Sequence, residues 1–117
     1  MSERTERVWH FYIDDMIGCA EKVLAYCAGL DQQAFITSPL VYDATVRNLE
    51  IIGEAATRIP EEVRQAHPHA PWRMLVATRD RLIHGYLGID NDTLWSIISD
   101  EVPKLMVQLR ELRQQQP

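Results

Sequence analysis

Apolar residues recur at intervals of three and four along nearly the whole chain, the spacing that lays a single stripe along an α-helix. Val8, Phe11, Tyr12, Met16, Cys19, Val23 and Tyr26 form the first stripe, which predicts a helix from about Thr5 to Ala28 with Gly29 as its C-cap. Ser38 followed by Pro39 reads as an N-cap and first helical residue. Val41, Ala44, Thr45, Leu49, Ile52, Ala55, Ala56 and Ile59 carry the second stripe until Pro60 stops it. A short helix from Glu61 to Ala66 and a stiff loop, His67-Pro68-His69-Ala70-Pro71, follow. The next helix spans about Trp72 to His84, and Gly85 and Gly88 loosen its end. Asp90-Asn91-Asp92 caps a last helix carrying Leu94, Ile97, Ile98, Val102, Leu105, Leu109 and Leu112, and Pro103 inside it should kink it. Strand alternation is absent. The expected fold is all-α, an antiparallel up-and-down bundle of four long helices plus a short one, with residues 1–117 as a single domain.

Three polar residues break the pattern. At about 100° per residue, Arg79 falls in the middle of the stripe formed by Leu75, Val76, Leu82, Ile83 and Tyr86. Asp15 is central in the first stripe and Asn48 in the second. A guanidinium facing a bundle needs partners or a wet cleft, so Asp15, Asn48 and Arg79 are expected to converge in one polar cluster. Asp80 and His84 are four apart and share a different face, where the carboxylate can orient the imidazole. Arg79 and His84 would not meet on a regular helix. Gly85 lets the helix end loosen so that they can, and a two-fold dimer offers a second route.

Composition narrows the classes. With 117 residues, 46% of them hydrophobic and 25% charged, the chain has material for one core and is no disordered tail. The net charge of −5 excludes a generally basic nucleic-acid coat but leaves room for a local basic site. Ten of the twelve cations are arginine, which suits bidentate contact with planar anions. Cys19 and Cys27, on one helix, would lie roughly 12 Å apart, too far for a disulfide, and read as small core hydrophobes. No zinc spacing is present, so no metal or cofactor is expected. The charged start lacks a signal h-region and no apolar run approaches a membrane span, so the cytoplasm is the expected compartment. Glu50, Glu54 and Arg58 read as a solvated helix face with i,i+4 pairing, or else a partner surface.

An arginine that neutralises a phosphate beside a histidine that moves protons is a minimal apparatus for cutting RNA, whose 2′-hydroxyl supplies the nucleophile without a metal. The residues carry a resemblance in that direction. Arg79-Asp80-Arg81-Leu82-Ile83-His84-Gly85-Tyr86 resembles the R-x4-H-x-Y signature of HEPN domains. Arg47-Asn48-Leu49-Glu50-Ile51-Ile52-Gly53-Glu54-Ala55 is similar to the second signature of their HepT-like branch. Pro71-Trp72-Arg73, Leu94-Trp95 and Val102-Pro103-Lys104-Leu105 also fit.

The resemblance implies a homodimeric helical toxin of a toxin–antitoxin pair, cutting RNA without metal in a cleft between protomers. It implies Arg79 and His84 as the catalytic pair, with Asp80 in support. Arg81 adds positive charge for RNA. It also implies a minimal nucleotidyltransferase as antitoxin, in a hetero-oligomer with the toxin, and Tyr86 as the residue that this antitoxin AMPylates. The competing expectation is a non-catalytic module that serves the nucleotidyltransferase as partner or substrate.

Overall fold

A computed structural model of the chain describes the backbone of residues 3–84 and 88–115 and the side chains of residues 8–84 and 88–115. All regular structure among them is helical: α1 (Glu3–Cys27), α2 (Gln32–Ile36), α3 (Pro39–Thr57), α4 (Glu61–Ala66), α5 (Trp72–Ile83), α6 (Asn91–Ser96), a π-helical turn (Ile97–Glu101) and α7 (Val102–Gln114).

Local chemistry sets the boundaries. α1 stops at a turn in which Gly29 takes φ +76°, the left-handed region that a Cβ disfavours. Ser38 Oγ accepts from the Val41 N–H at 3.4 Å, capping α3 one residue before Pro39. Asp90 Oδ1 accepts from the Thr93 N–H at 2.7 Å and caps α6. α2 has no counterpart in the apolar pattern. Asp31 Oδ1 caps it through the Ala34 N–H at 2.8 Å, and Phe35, its one buried residue, anchors it.

Ahead of Pro103, where a kink is expected, the helical pitch changes. Proline lacks the amide hydrogen and its ring crowds the carbonyl four residues back. Widening the turn over Ile97–Glu101 relieves that conflict. It also turns Ile97, Ile98 and Val102 inward together, all buried. Ser99 Oγ donates to the Trp95 carbonyl at 2.9 Å within the same turn.

α1 packs along α3 and α7, and α3 packs along α5. The core between them includes Ile13, Met16 and Val23 of α1, Ile52 and Ala56 of α3, and Leu105 and Leu109 of α7, all essentially without solvent contact. Burying such side chains contributes roughly 1.5–3 kcal/mol each, the main force holding the helices together. Cys19 and Cys27 are buried free thiols, and Cys27 Sγ lies 3.6 Å from Thr45 Oγ1. Trp72 anchors the start of α5 by donating its indole N–H to the His67 carbonyl at 2.9 Å. Trp95 packs its ring 5.4 Å from that of Phe35. No described helix is long and apolar enough to cross a membrane.

Candidate active site

The site begins at a glycine. Where α3 meets α5, a Cβ built on Gly53 would lie 2.2 Å from Arg79 Cβ and 2.7 Å from the Leu75 carbonyl oxygen. The two backbones can approach this closely only because position 53 has no side chain. The stem of Arg79 therefore lies against the α3 backbone, and its charged end emerges beside Glu54, the next residue of α3.

There the guanidinium is gripped twice. Its Nη2 is 2.8 Å from Glu54 Oε2 and its Nη1 is 2.8 Å from Asp80 Oδ1. Glu54 also meets Arg58 Nη2 at 3.5 Å, the pairing within α3 expected of an exposed helix face. Its reach across to Arg79 is a role that the intrahelical pattern does not reveal. The Arg79 side chain is 29% exposed, neither core nor free surface. Charge-assisted contacts from two directions fix its plane.

Arg79 lines a recess of about 330 Å³ whose floor is Arg47, Glu50, Ile51 and Glu54 of α3. Tyr12 and Asp15 of α1 form one wall, and Arg79 and Ile83 of α5 the other. Asp15 and Arg79 share the recess, whereas Asn48 is buried and donates its amide to the Ala44 carbonyl of its own helix at 2.8 Å. Position 48 points one step toward the core from the floor residues.

His84 closes α5 and is exposed. Its Nδ1 lies 2.5 Å from the Asp80 backbone carbonyl oxygen. The contact expected between the Asp80 carboxylate and this imidazole is made by the carbonyl instead, while the carboxylate turns to Arg79. The carbonyl contact has a chemical consequence. A carbonyl oxygen only accepts, so Nδ1 carries the hydrogen and neutral His84 keeps its lone pair on Nε2. Asp80 therefore joins the two candidate groups, holding the guanidinium with its side chain and the imidazole with its main chain. Arg79 and His84 make no direct hydrogen bond to each other.

Arg81, also exposed, lines a separate recess of about 510 Å³ beside Asp92 and Glu101. Tyr86 lies outside the described residues. Among the described residues no group of three or more His, Cys, Asp or Glu side chains is placed to hold a metal ion.

Arg79 and His84, linked through Asp80, thus sit together at the end of one helix. Residues 16–112 match the family model described as "Ribonuclease HepT-like". The chain belongs to the HepT-like ribonuclease family and is an endoribonuclease by class. It is 34% identical over 105 residues to a protein of Caldanaerobacter subterraneus subsp. tengcongensis named as a candidate RNase, covering 90% of this chain and 94% of that one. A protein of Thermococcus cleftensis provisionally designated ribonuclease HepT is 33% identical over 102 residues, covering 87% and 93%. Another candidate RNase, of Methanocaldococcus jannaschii, is 37% identical over 94 residues, covering 80% and 86%. No solved structure matches.

Proposed function

We propose that the chain, acting as one HepT-like domain in a homodimer, is the toxin of a toxin–antitoxin pair and cuts RNA by attack of the 2′-hydroxyl, without a metal. The observation that carries the reading is the Asp80 junction, which leaves Nε2 of His84 as the proton acceptor while orienting Arg79. In the reaction Nε2 takes the 2′-hydroxyl proton and O2′ bonds to phosphorus. The P–O5′ bond breaks, and the departing oxygen takes a proton from the second protomer's imidazolium or from water. The products are a 2′,3′-cyclic phosphate and a 5′-hydroxyl. Arg79 offsets charge on the non-bridging oxygens as the five-coordinate phosphorus forms. Because Glu54 and Asp80 already balance Arg79, the phosphate must displace one of them. Glu54, anchored on another helix, is the one free to withdraw without disturbing the link to His84.

Dimerisation is supported by exposed apolar side chains: Ile83, which lines the recess, and Val8 and Phe11 of α1, the helix that supplies Tyr12 and Asp15 to it. Phe11 is 68% exposed, Val8 43% and Ile83 54%. A second copy laid over this face would shelter them and bring two Arg79–His84 sets together. Arg81 supplies further charge for RNA. The antitoxin is a minimal nucleotidyltransferase that forms a hetero-oligomer with the toxin and AMPylates Tyr86. Anionic adenylates two residues from His84 would fill and neutralise a phosphate site.

Arg79→Ala and His84→Ala are each expected to lower RNA cleavage by roughly 10²-fold or more. If both cut as fast as the unsubstituted protein in a contaminant-controlled assay, the proposal fails. The second reading, a non-catalytic module bound by the nucleotidyltransferase, has one observation on its side, since two carboxylates already neutralise Arg79. RNA left intact by the purified chain, with tight nucleotidyltransferase binding, selects that reading.

A further inference from the structure

Among the described arginines, Arg47, Arg58, Arg79, Arg110 and Arg113 each pair with a carboxylate. Arg64, Arg73 and Arg81 pair with no described carboxylate, and all three lie in the α4–α5 segment. On a chain with a net charge of −5, unpaired guanidinium groups confined to one segment are not what random surface pairing produces.

Two of them line the same recess. Arg64 of α4 and Arg73 of α5 face a hollow of about 750 Å³ floored by Trp72, Val76 and Ala77 and reaching Asp80 at its far end. Arg64 Nε is buried and has no hydrogen-bond partner, a donor whose desolvation is not offset within the protein. Neither carboxylate at the recess pairs with Arg64 or Arg73. Glu61 accepts from Gln65 Nε2 at 3.3 Å, and Asp80 accepts from Arg79.

The recess is also in register with the catalytic end of α5. Residues 73, 77, 80 and 84 fall within roughly 60° of one another on the helix, at about 100° per residue. Arg73, Ala77, Asp80 and His84 therefore form one solvent-facing ridge, with about 16 Å of axis between its ends. A strand whose scissile phosphate sits at His84 and Arg79 can follow this ridge into the recess within a few nucleotides. The small Ala77 at the midpoint leaves the way open.

We infer that the α4–α5 recess is a second phosphate subsite, in which Arg64 and Arg73 grip the backbone of a single-stranded RNA away from the cut bond. The inference rests on the ribonuclease reading and extends it: the substrate is a strand held at two points, not an isolated phosphodiester. Val76 and Ala77 present a small apolar surface to sugars and bases, so the grip is not selective for sequence.

The test uses the full chain and a 2′-O-methyl RNA 12-mer, which binds but lacks the attacking hydroxyl. Affinity is measured across a salt series. For single strands, each phosphate contact contributes about 0.7 to the slope of log K against log salt. Arg73→Gln replaces an exposed, unpaired side chain, so folding is not at stake, and it is expected to lower the slope by about 0.7. Arg64→Gln/Arg73→Gln is expected to lower it by about 1.4 and to raise Kd on the order of tenfold. With cleavable RNA the double variant raises KM by a similar factor and leaves kcat within about twofold. Arg110→Gln, a charge of equal size paired with Glu21 elsewhere, changes the slope far less.

Unsubstituted protein that cuts RNA while Arg73→Gln and the double variant keep its slope and Kd overturns this subsite and spares the ribonuclease reading. Protein that neither binds the 12-mer nor cuts RNA overturns both. A drop for Arg110→Gln equal to that for Arg73→Gln shows a diffuse charge effect and also overturns the subsite.

Discussion

Replacing Gly53 with alanine is the most searching perturbation of the helix crossing beneath Arg79. The new Cβ would start 2.2 Å from Arg79 Cβ and 2.7 Å from the Leu75 carbonyl oxygen. Carbon atoms rest at about 3.5–4.0 Å, so α3 and α5 must part by more than ~1 Å or distort. Overpacking of this kind costs about 1–3 kcal/mol. Alanine in a helix interior gains back about 1 kcal/mol over glycine. Gly18, inside α1, has nothing within 4 Å of the corresponding position. Gly18→Ala therefore takes the propensity gain without the clash. At roughly 4 °C per kcal/mol for a domain of this size, Gly18→Ala should raise the thermal midpoint by a few degrees. Gly53→Ala should lower the midpoint or leave it near that of the unsubstituted protein, with a stability about 1–3 kcal/mol below that of Gly18→Ala. Cleavage should fall further than stability, because shifting a catalytic group by about 1 Å can cost on the order of 10²-fold. Calorimetry and an RNA cleavage assay on the three proteins decide the matter. Equal gains in midpoint for both variants, with full cleavage by Gly53→Ala, would refute the close-crossing argument.

Titration gives two more predictions. Asp90 accepts from the backbone N–H and the hydroxyl of Thr93, and those bonds hold its carboxyl below the ordinary aspartate value of 3.8. A depressed carboxylate pKa contributes stability that is complete above the unfolded value and lost as pH falls through the folded one. Asp90→Ala should thus melt earlier than the unsubstituted protein at pH 7, the gap narrowing as pH drops below 3.8, and a gap constant down to pH 3 refutes the cap. Burial raises the pKa of the Cys19 and Cys27 thiols, offset in part by Lys22 near Cys19 and by the Thr45 hydrogen bond to Cys27. Both should resist iodoacetamide at pH 8 in the native protein and react readily in urea. Equal rates in the two states would contradict their burial.

Much of the fold was legible because its signals are local. Ser38-Pro39 marks the start of α3, Glu61–Ala66 stands between Pro60 and the His-Pro loop, and the apolar stripes run long enough to show a period. α2 was not legible, since five residues with one buried anchor cannot display periodicity. The π-helical turn was not either, because spacing shows that Pro103 must disturb the helix but not how the strain is relieved. At the site, helical angles bring Asp15, Asn48 and Arg79 to one side; Asp15 and Arg79 line one recess, while buried Asn48 satisfies its amide on its own helix. Along its own helix Glu54 reads as a solvated or partner-facing residue, because its intrahelical partner Arg58 explains it. Its second partner, Arg79, comes from another helix, and a single-helix projection carries no such information. Gly53 lay in plain view within the Arg47–Ala55 stretch, but its role depends on the distance between two helices.

The most direct measurement is the chemistry of the cut ends on an RNA carrying a single 2′-deoxy nucleotide at the preferred cleavage position. If the ribose hydroxyl is the nucleophile and His84 its base, the all-ribose strand yields a 2′,3′-cyclic phosphate and a 5′-hydroxyl, and the deoxy position is not cut. Cleavage that continues at the deoxy position, leaving a 5′-phosphate and a 3′-hydroxyl, would mean that water attacks instead and that the Arg79–Asp80–His84 arrangement does not work as described.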